Sequence, residues 1–160
     1  MSEPTRPPIA VQAASVPPRK GAQLLPEPFA ALLARRLKHP LGDAFGLKAF
    51  GVNLARLASG DVSALHHRHT AQDEFVYVLE GHPTLVTDAG EVQLSPGMCA
   101  GFPASGPAHH LENRTAAEVL VLEVGDRAPG DQVDYPLDDL RLVTGADGKR
   151  RVLHKDGTPY

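Results

Sequence analysis

Three histidines and three acids stand close together in residues 66–81, HHRHTAQDEFVYVLEG. His67 and His69 are one residue apart, and side chains on a strand alternate with a period of two, so both imidazoles share a face. Glu74 follows five residues after His69 and opens the apolar run Phe75–Leu79. A second pair, His109–His110, lies about forty residues further on. Imidazoles and a carboxylate in this pattern suit a divalent transition metal: iron, manganese, nickel, cobalt or zinc. Three imidazoles and one carboxylate leave positions open on a six-coordinate ion, where water or a substrate is polarised. A surface cluster of polar residues would have no need of the alternation, the acid or the second histidine pair.

Such a site needs elements that bring its parts together. Glu74 begins a strand after the turn Thr-Ala-Gln-Asp, and pairing of the two flanking strands through that turn would set the carboxylate beside His67 and His69. His109 must return from a distant strand across the interior of a barrel. The surrounding sequence predicts such strands. Short apolar segments recur at Phe50–Ala58, Phe75–Leu79, Thr84–Thr87, Glu91–Leu94, Met98–Phe102, His109–Asn113 and Val119–Val124. Turn signals such as Gly60-Asp61, Asp88-Ala89-Gly90 and Ser95-Pro96-Gly97 separate them. Seven or eight strands within about eighty residues make a β-sandwich or small barrel.

The flanks read differently. Residues 1–28 hold nearly half of the fifteen prolines and have no periodicity, which predicts an extended arm, either loose or packed on the body or a partner subunit. Phe29, Leu32, Leu33 and Leu37 fall at helical spacing, which predicts a helix begun at Pro28 and ended by His39-Pro40. Arg35, Arg36 and Lys38 would be its solvated, dipole-matched end. Beyond Gly125, DRAPGDQVDYPLDD reads as a long loop. A hairpin of Leu140–Thr144 and Arg150–His154 through Ala146-Asp147-Gly148 follows.

At 160 residues the chain suffices for one domain with a real core. A formal net charge of −3 offers no polyanion footprint, so nucleic acid is not an expected partner. The single cysteine, Cys99, excludes an intramolecular disulfide and fits a reducing compartment. With no secretory h-region and no run approaching ~18 apolar residues, the expectation is a soluble cytoplasmic protein without a membrane span. Cys99 is expected to be a buried small hydrophobe, and Tyr77 to serve packing. Both faces of the strand at Phe75–Leu79 are apolar, so both call for cover: a barrel interior on one, a partner subunit or the arm on the other.

The spacing resembles the two motifs of the cupin superfamily. Gly60, six residues, His67-Arg68-His69, four residues, Glu74, six residues and Gly81 are similar to the first. Gly97, five residues, Pro103-Ala104-Ser105-Gly106, Pro107-Ala108, His109, three residues and Asn113 are similar to the second. Each carries one inserted residue, before His67 and between Pro103 and Gly106, and neither insertion removes a histidine or the acid. The match covers about residues 49–125. The resemblance implies an all-β, double-stranded β-helix (jelly-roll) barrel with one divalent metal held by His67, His69, Glu74 and His109. It leaves His66 and His110 as supporting or surface groups and Asp73 as a turn residue. Residues 29–160 would form one such domain, with a C-terminal extension over 126–160. Homodimerisation is implied as well.

For function, the resemblance implies a metal-dependent enzyme on a small polar molecule. One branch is sugar-phosphate isomerisation, since short cupins like this one are labelled phosphomannose-isomerase-like; the other is dioxygenation. The alternative is a non-catalytic ligand-binding or sensor module, although no helix-turn-helix accompanies it. A phosphate requires Arg or Lys aimed into the pocket. The expected strands offer few, with Arg56 and Arg114 the nearest candidates, which counts against a phosphosugar.

Overall fold

Alternation along the central strands decides what each side meets. In the strand Glu74–Glu80, Val76 and Val78 are buried while Phe75, Tyr77 and Leu79 point outward. The same rule runs through the computed structural model, which describes residues 7–19, 24–145 and 147–160. After a 3-10 helix at Ala13–Ser15, the described elements are, in order, α1 (Phe29–Leu32), β1 (Leu37–His39), α2 (Leu41–Ala44), β2 (Phe50–Leu57), β3 (Arg68–His69) and β4 (Glu74–Glu80). They continue with β5 (Thr84–Thr87), β6 (Gly90–Gln93), β7 (Cys99–Phe102), β8 (His109–Glu112), β9 (Val119–Asp126), β10 (Gln132–Tyr135), β11 (Leu140–Thr144) and β12 (Arg150–Leu153).

One layer is a five-stranded sheet ordered β1-β2-β9-β4-β7. The other combines β12-β11-β10-β3 with β6-β5-β8. These two pieces meet where His67 bridges His109 and Val62 bridges Glu112. The core between the layers is Ala55, Leu57, Val76, Val78, Val119 and Val121 from the first sheet against Leu85 and Leu111 from the second. A second cluster (Leu33, Leu65, Val133, Tyr135, Leu140 and Leu142) fills the other end. The result is the expected all-β jelly roll. No helix among the described residues is long and apolar enough to cross a membrane.

Four expectations need correction. The helix ends at Leu32, and Leu37–His39 is instead a strand, antiparallel to β2 with Leu37 opposite Arg56. The open edge of β2 offers a ladder of backbone partners that outweighs the short helical pattern. Arg35, Arg36 and Lys38 are therefore not a solvated helix end. Arg35 pairs with buried Asp61, Arg36 donates to the Ser63 carbonyl, and Lys38 pairs with Glu123. Within the expected loop, Gln132–Tyr135 forms β10, which pairs with β11 and β3 and turns Val133 and Tyr135 inward. Two apolar residues among so many polar ones were too weak a pattern to announce it. The strands flanking the Thr-Ala-Gln-Asp turn do not pair: β3 pairs with β10, while β4 pairs with β7 and β9. Cys99 is exposed, since its strand lies at the rim of its sheet.

The arm divides. Residues 1–6 and 20–23 of the expected segment 1–28 lie outside the described residues. Within the rest, Val16 is buried, and the Arg19 N–H donates to the Lys38 carbonyl, lengthening the cover over β1. Ala146 of the expected hairpin turn also lies outside them, but β11 and β12 pair as a hairpin would, with Thr144 opposite Arg150.

Candidate metal centre

The two layers bring four side chains to one point. His67 precedes β3, His69 ends it and His109 opens β8, so the imidazoles descend from one layer; Glu74 opens β4 in the other. The backbones of His67 and His109 are bonded in both directions, N–H to carbonyl at 3.2 and 2.8 Å, which locks two of the rings side by side. All three Nε2 atoms face the same oxygen of Glu74, Oε2, at 3.3 Å from His67, 3.6 Å from His69 and 3.2 Å from His109.

The opposite ring nitrogens are occupied. His67 Nδ1 lies 2.9 Å from the Leu65 carbonyl, His69 Nδ1 2.6 Å from Asp131 Oδ2, and His109 Nδ1 3.4 Å from the Pro107 carbonyl. A carbonyl or carboxylate oxygen can only accept, so each Nδ1 carries the hydrogen and each Nε2 keeps its lone pair for the centre. Neutral imidazoles aimed at a carboxylate have no hydrogen to share with it. A cation at the meeting point resolves this. Ligands about 2.0–2.1 Å from one ion stand about 3–3.4 Å apart, close to the separations observed. The residues present fit a divalent transition metal. In the metal-free chain, burial pushes the Glu74 carboxyl up. When the rings instead carry a hydrogen on Nε2, the bonds from His109 and His67, with the charges of His67 and His69, more than offset this and hold it well below the usual carboxylate range.

Supporting contacts come from places the sequence reading passed over. Buried Asp131 orients His69 with one oxygen and accepts the Ala71 and Gln72 N–H groups with the other. It lies in the stretch read as a loop, 62 residues from His69, and no local spacing links the two. The insertion between Pro103 and Gly106 also has a use. Ser105 takes a left-handed conformation (φ 59°), and its N–H donates to the His69 carbonyl at 2.8 Å. Asp73 accepts the Ala104 N–H and stays outside the cluster, as a turn residue would. Phe102 stacks on the His109 ring with centroids 3.4 Å apart, and Tyr135 lies 6.1 Å from His67.

His66 and His110 face away from this centre and form a network of their own. His66 Nε2 meets Asp88 at 2.9 Å, the two Nδ1 atoms are 3.1 Å apart, and His110 Nε2 meets Glu112 at 2.9 Å. Neither touches the four converging residues through a side-chain hydrogen bond. His66 is buried, so it is no surface group.

His67, His69 and Glu74 open on to a cavity of about 1010 Å³. Its cations are not the ones the strands suggested. Arg56 pairs with Glu118 and Arg114 with Glu91 and Glu112, and neither reaches the cavity wall. Arg19, Arg36, Lys38, Arg127 and Arg150 line it instead, all from outside the span of the two motifs or at its very edge.

Comparison with known proteins agrees with this geometry. A family model described as a cupin domain matches residues 53–125. The structure of a cupin-superfamily sugar phosphate isomerase from Silicibacter pomeroyi is 41% identical and superposes with a TM-score of 0.87 over 94% of this chain and 96% of that one. A candidate sugar phosphate isomerase from Acidithiobacillus ferrooxidans is 32% identical, with a TM-score of 0.71 over 78% of this chain and 80% of its own. The polyketide cyclase of Streptomyces resistomycificus, 21% identical with a TM-score of 0.61 over 76% and 82% of the two chains, shares the fold. No curated protein matches the sequence. The two motifs, the jelly roll that carries them and a relative alike over nearly the whole length place the chain in one family: it belongs to the cupin superfamily.

Proposed function

We propose that this cupin is a metal-dependent enzyme that isomerises a small phosphorylated sugar, with the metal held by His67, His69, Glu74 and His109. The carrying observation is the convergence of three Nε2 atoms and Glu74 Oε2 at the wall of a cavity large enough for a sugar phosphate. The likeness to two structures described as sugar phosphate isomerases supports the substrate class. A divalent ion held there supplies polarisation of a carbonyl or hydroxyl oxygen on the bound sugar. The chain's own part is to orient and exclude. Asp131 and the carbonyls of Leu65 and Pro107 fix the rings, and Phe102 shields His109. Burial pushes the Tyr135 phenol up to about 12, so near neutral pH it keeps its proton and serves as a donor toward a substrate oxygen. A homodimer that covers the outer face of β4 belongs to the same reading.

The test pairs metal analysis with turnover. Protein purified without added metal should carry about one transition-metal ion per chain, and His67→Ala with His109→Ala should carry almost none. Wild-type protein should interconvert an aldose phosphate and its ketose, followed by NMR, and the double variant should not. Equal metal content in the two proteins would remove the centre. A metal-loaded wild type that turns over no sugar phosphate in a broad panel would remove the isomerase.

A further inference from the structure

The fixed charges around the cavity divide into two groups. Arg19 and Arg127 both pair with Asp43, and Lys38 pairs with Glu123. Arg36 and Arg150 also line the cavity, and among the described residues neither has a carboxylate within ion-pair reach. Arg36 is not a stray surface cation. Its Nη1 is tied to the Ser63 carbonyl, and burial pushes the guanidinium below its usual value, with the charge of Glu123 pulling back. A guanidinium stays charged even so, and a desolvated one without a bonded carboxylate is costly unless an anion arrives. Arg150 approaches from the first residue of β12 and is exposed.

Tyr135 ties these cations to the metal centre. It lines the same cavity as both arginines and as His67, His69 and Glu74. Its ring lies 6.1 Å from His67, and its hydroxyl has no hydrogen-bond partner among the described residues. The charge balance points the same way. Five cationic and five acidic side chains line the cavity, so they cancel, and a divalent ion leaves an excess of two positive charges. A ligand carrying two negative charges restores neutrality.

We infer that Arg36 and Arg150, with the Tyr135 hydroxyl on the same cavity wall, form an anion subsite for the phosphoryl group of a phosphate monoester. The subsite rests on the isomerase reading for what occupies the metal end, but its own recognition is independent of turnover. Two guanidiniums grip a phosphoryl group through paired N–H donors, which a neutral sugar cannot use. Arg36 and Arg150 would therefore select phosphorylated substrates and hold the reactive end at the metal.

Calorimetric titration of the full-length chain with inorganic phosphate tests this, before and after chelation so that phosphate on the metal is told apart from phosphate on the arginines. The expected result is binding in both states, weakened roughly tenfold or more in Arg150→Gln and in Arg36→Gln, with metal content unchanged. Arg36 also holds Ser63, so Arg36→Gln could disturb folding; the exposed Arg150→Gln decides the matter, and Arg36→Lys should retain part of the affinity. Phosphate affinity equal to wild type in Arg150→Gln, or no phosphate binding by the chelated wild type, would each overturn the subsite. The two readings fail separately. Metal and turnover with phosphate affinity untouched by Arg150→Gln sink the subsite alone. Arginine-dependent phosphate binding in a chain that takes up no metal when metal is supplied, or that with metal loaded turns over no sugar phosphate, sinks the isomerase alone.

Discussion

Each imidazole at the centre is held by its far nitrogen, and the quality of that hold differs. His69 has the strongest anchor, a charged and buried partner at 2.6 Å, whereas His109 leans on a carbonyl at 3.4 Å. Charge on Asp131 makes the His69 Nε2 more basic as well as better aimed. Asp131→Asn keeps the shape and removes the charge, so metal affinity measured by chelator competition should fall by roughly 10-fold to 100-fold. An unchanged affinity would mean the contact only shapes the loop. The Glu74 carboxyl in the metal-free chain, held below its ordinary 4.5, has a definite sign. Its contribution to stability is complete above that ordinary value and is lost as pH falls below it, toward the lowered folded value. Acid titration of the metal-free chain, followed by circular dichroism, should therefore show a steeper loss for wild type than for Glu74→Gln.

At the scale of elements, motif positions that are not ligands prove to be joints. Asn113 is nearly inaccessible. Its amide donates to the carbonyls of Leu57 and Ala117, and its Oδ1 accepts from the N–H and hydroxyl of Thr115. It clasps the end of β2 to the turn between β8 and β9, the two strands that flank the core. Asn113→Ala leaves those carbonyls unpaired and should cost about 2–3 kcal/mol, lowering Tm by roughly 5–10 °C in a thermal melt. A shift under a degree would show that water replaces the amide. Gly81 ends the first motif for a related reason. It has φ 78°, and a Cβ there would sit 2.5 Å from the Glu118 carbonyl oxygen. The elements from β4 to β9 were legible in the sequence because alternation and turn residues agree. The segment Leu33–His39 was not, since a helical spacing of leucines is a weaker constraint than an open strand edge beside it.

The whole molecule presents one unexplained face. Phe75, Tyr77 and Leu79 alternate along β4 and are 41%, 38% and 36% exposed, with Phe50 and Met98 also exposed. Among the described residues of the arm, Val16 and Arg19 lie against β1, at the other edge of that sheet. An apolar stripe on a five-stranded sheet is suited to a second copy of the same sheet. Size-exclusion chromatography with light scattering should report a dimer for wild type and a monomer for Phe75→Glu combined with Tyr77→Arg. A wild-type monomer at micromolar concentration would end the proposal.

Residue types, alternation and turn residues were enough for a metal-type cluster on a β-sandwich or small barrel, and the resemblance of their spacing to the two cupin motifs singled out His67, His69, Glu74 and His109 and the jelly roll around them. What local pattern could not contain is any contact between distant segments. Asp131 behind His69, Ser105 holding the His69 backbone, and Arg36 and Arg150 on the cavity wall are joined to the centre by no local spacing. They meet the centre only because β10 pairs with β3 and because the arm, the segment after α1 and the C-terminal hairpin enclose the same cavity. The strands read in sequence carried few cations, and on that ground a phosphorylated ligand looked unsuited; folding brings cations from outside those strands to the wall. Burial and long-range pairing are properties of the folded chain, and they set the charge of the cavity.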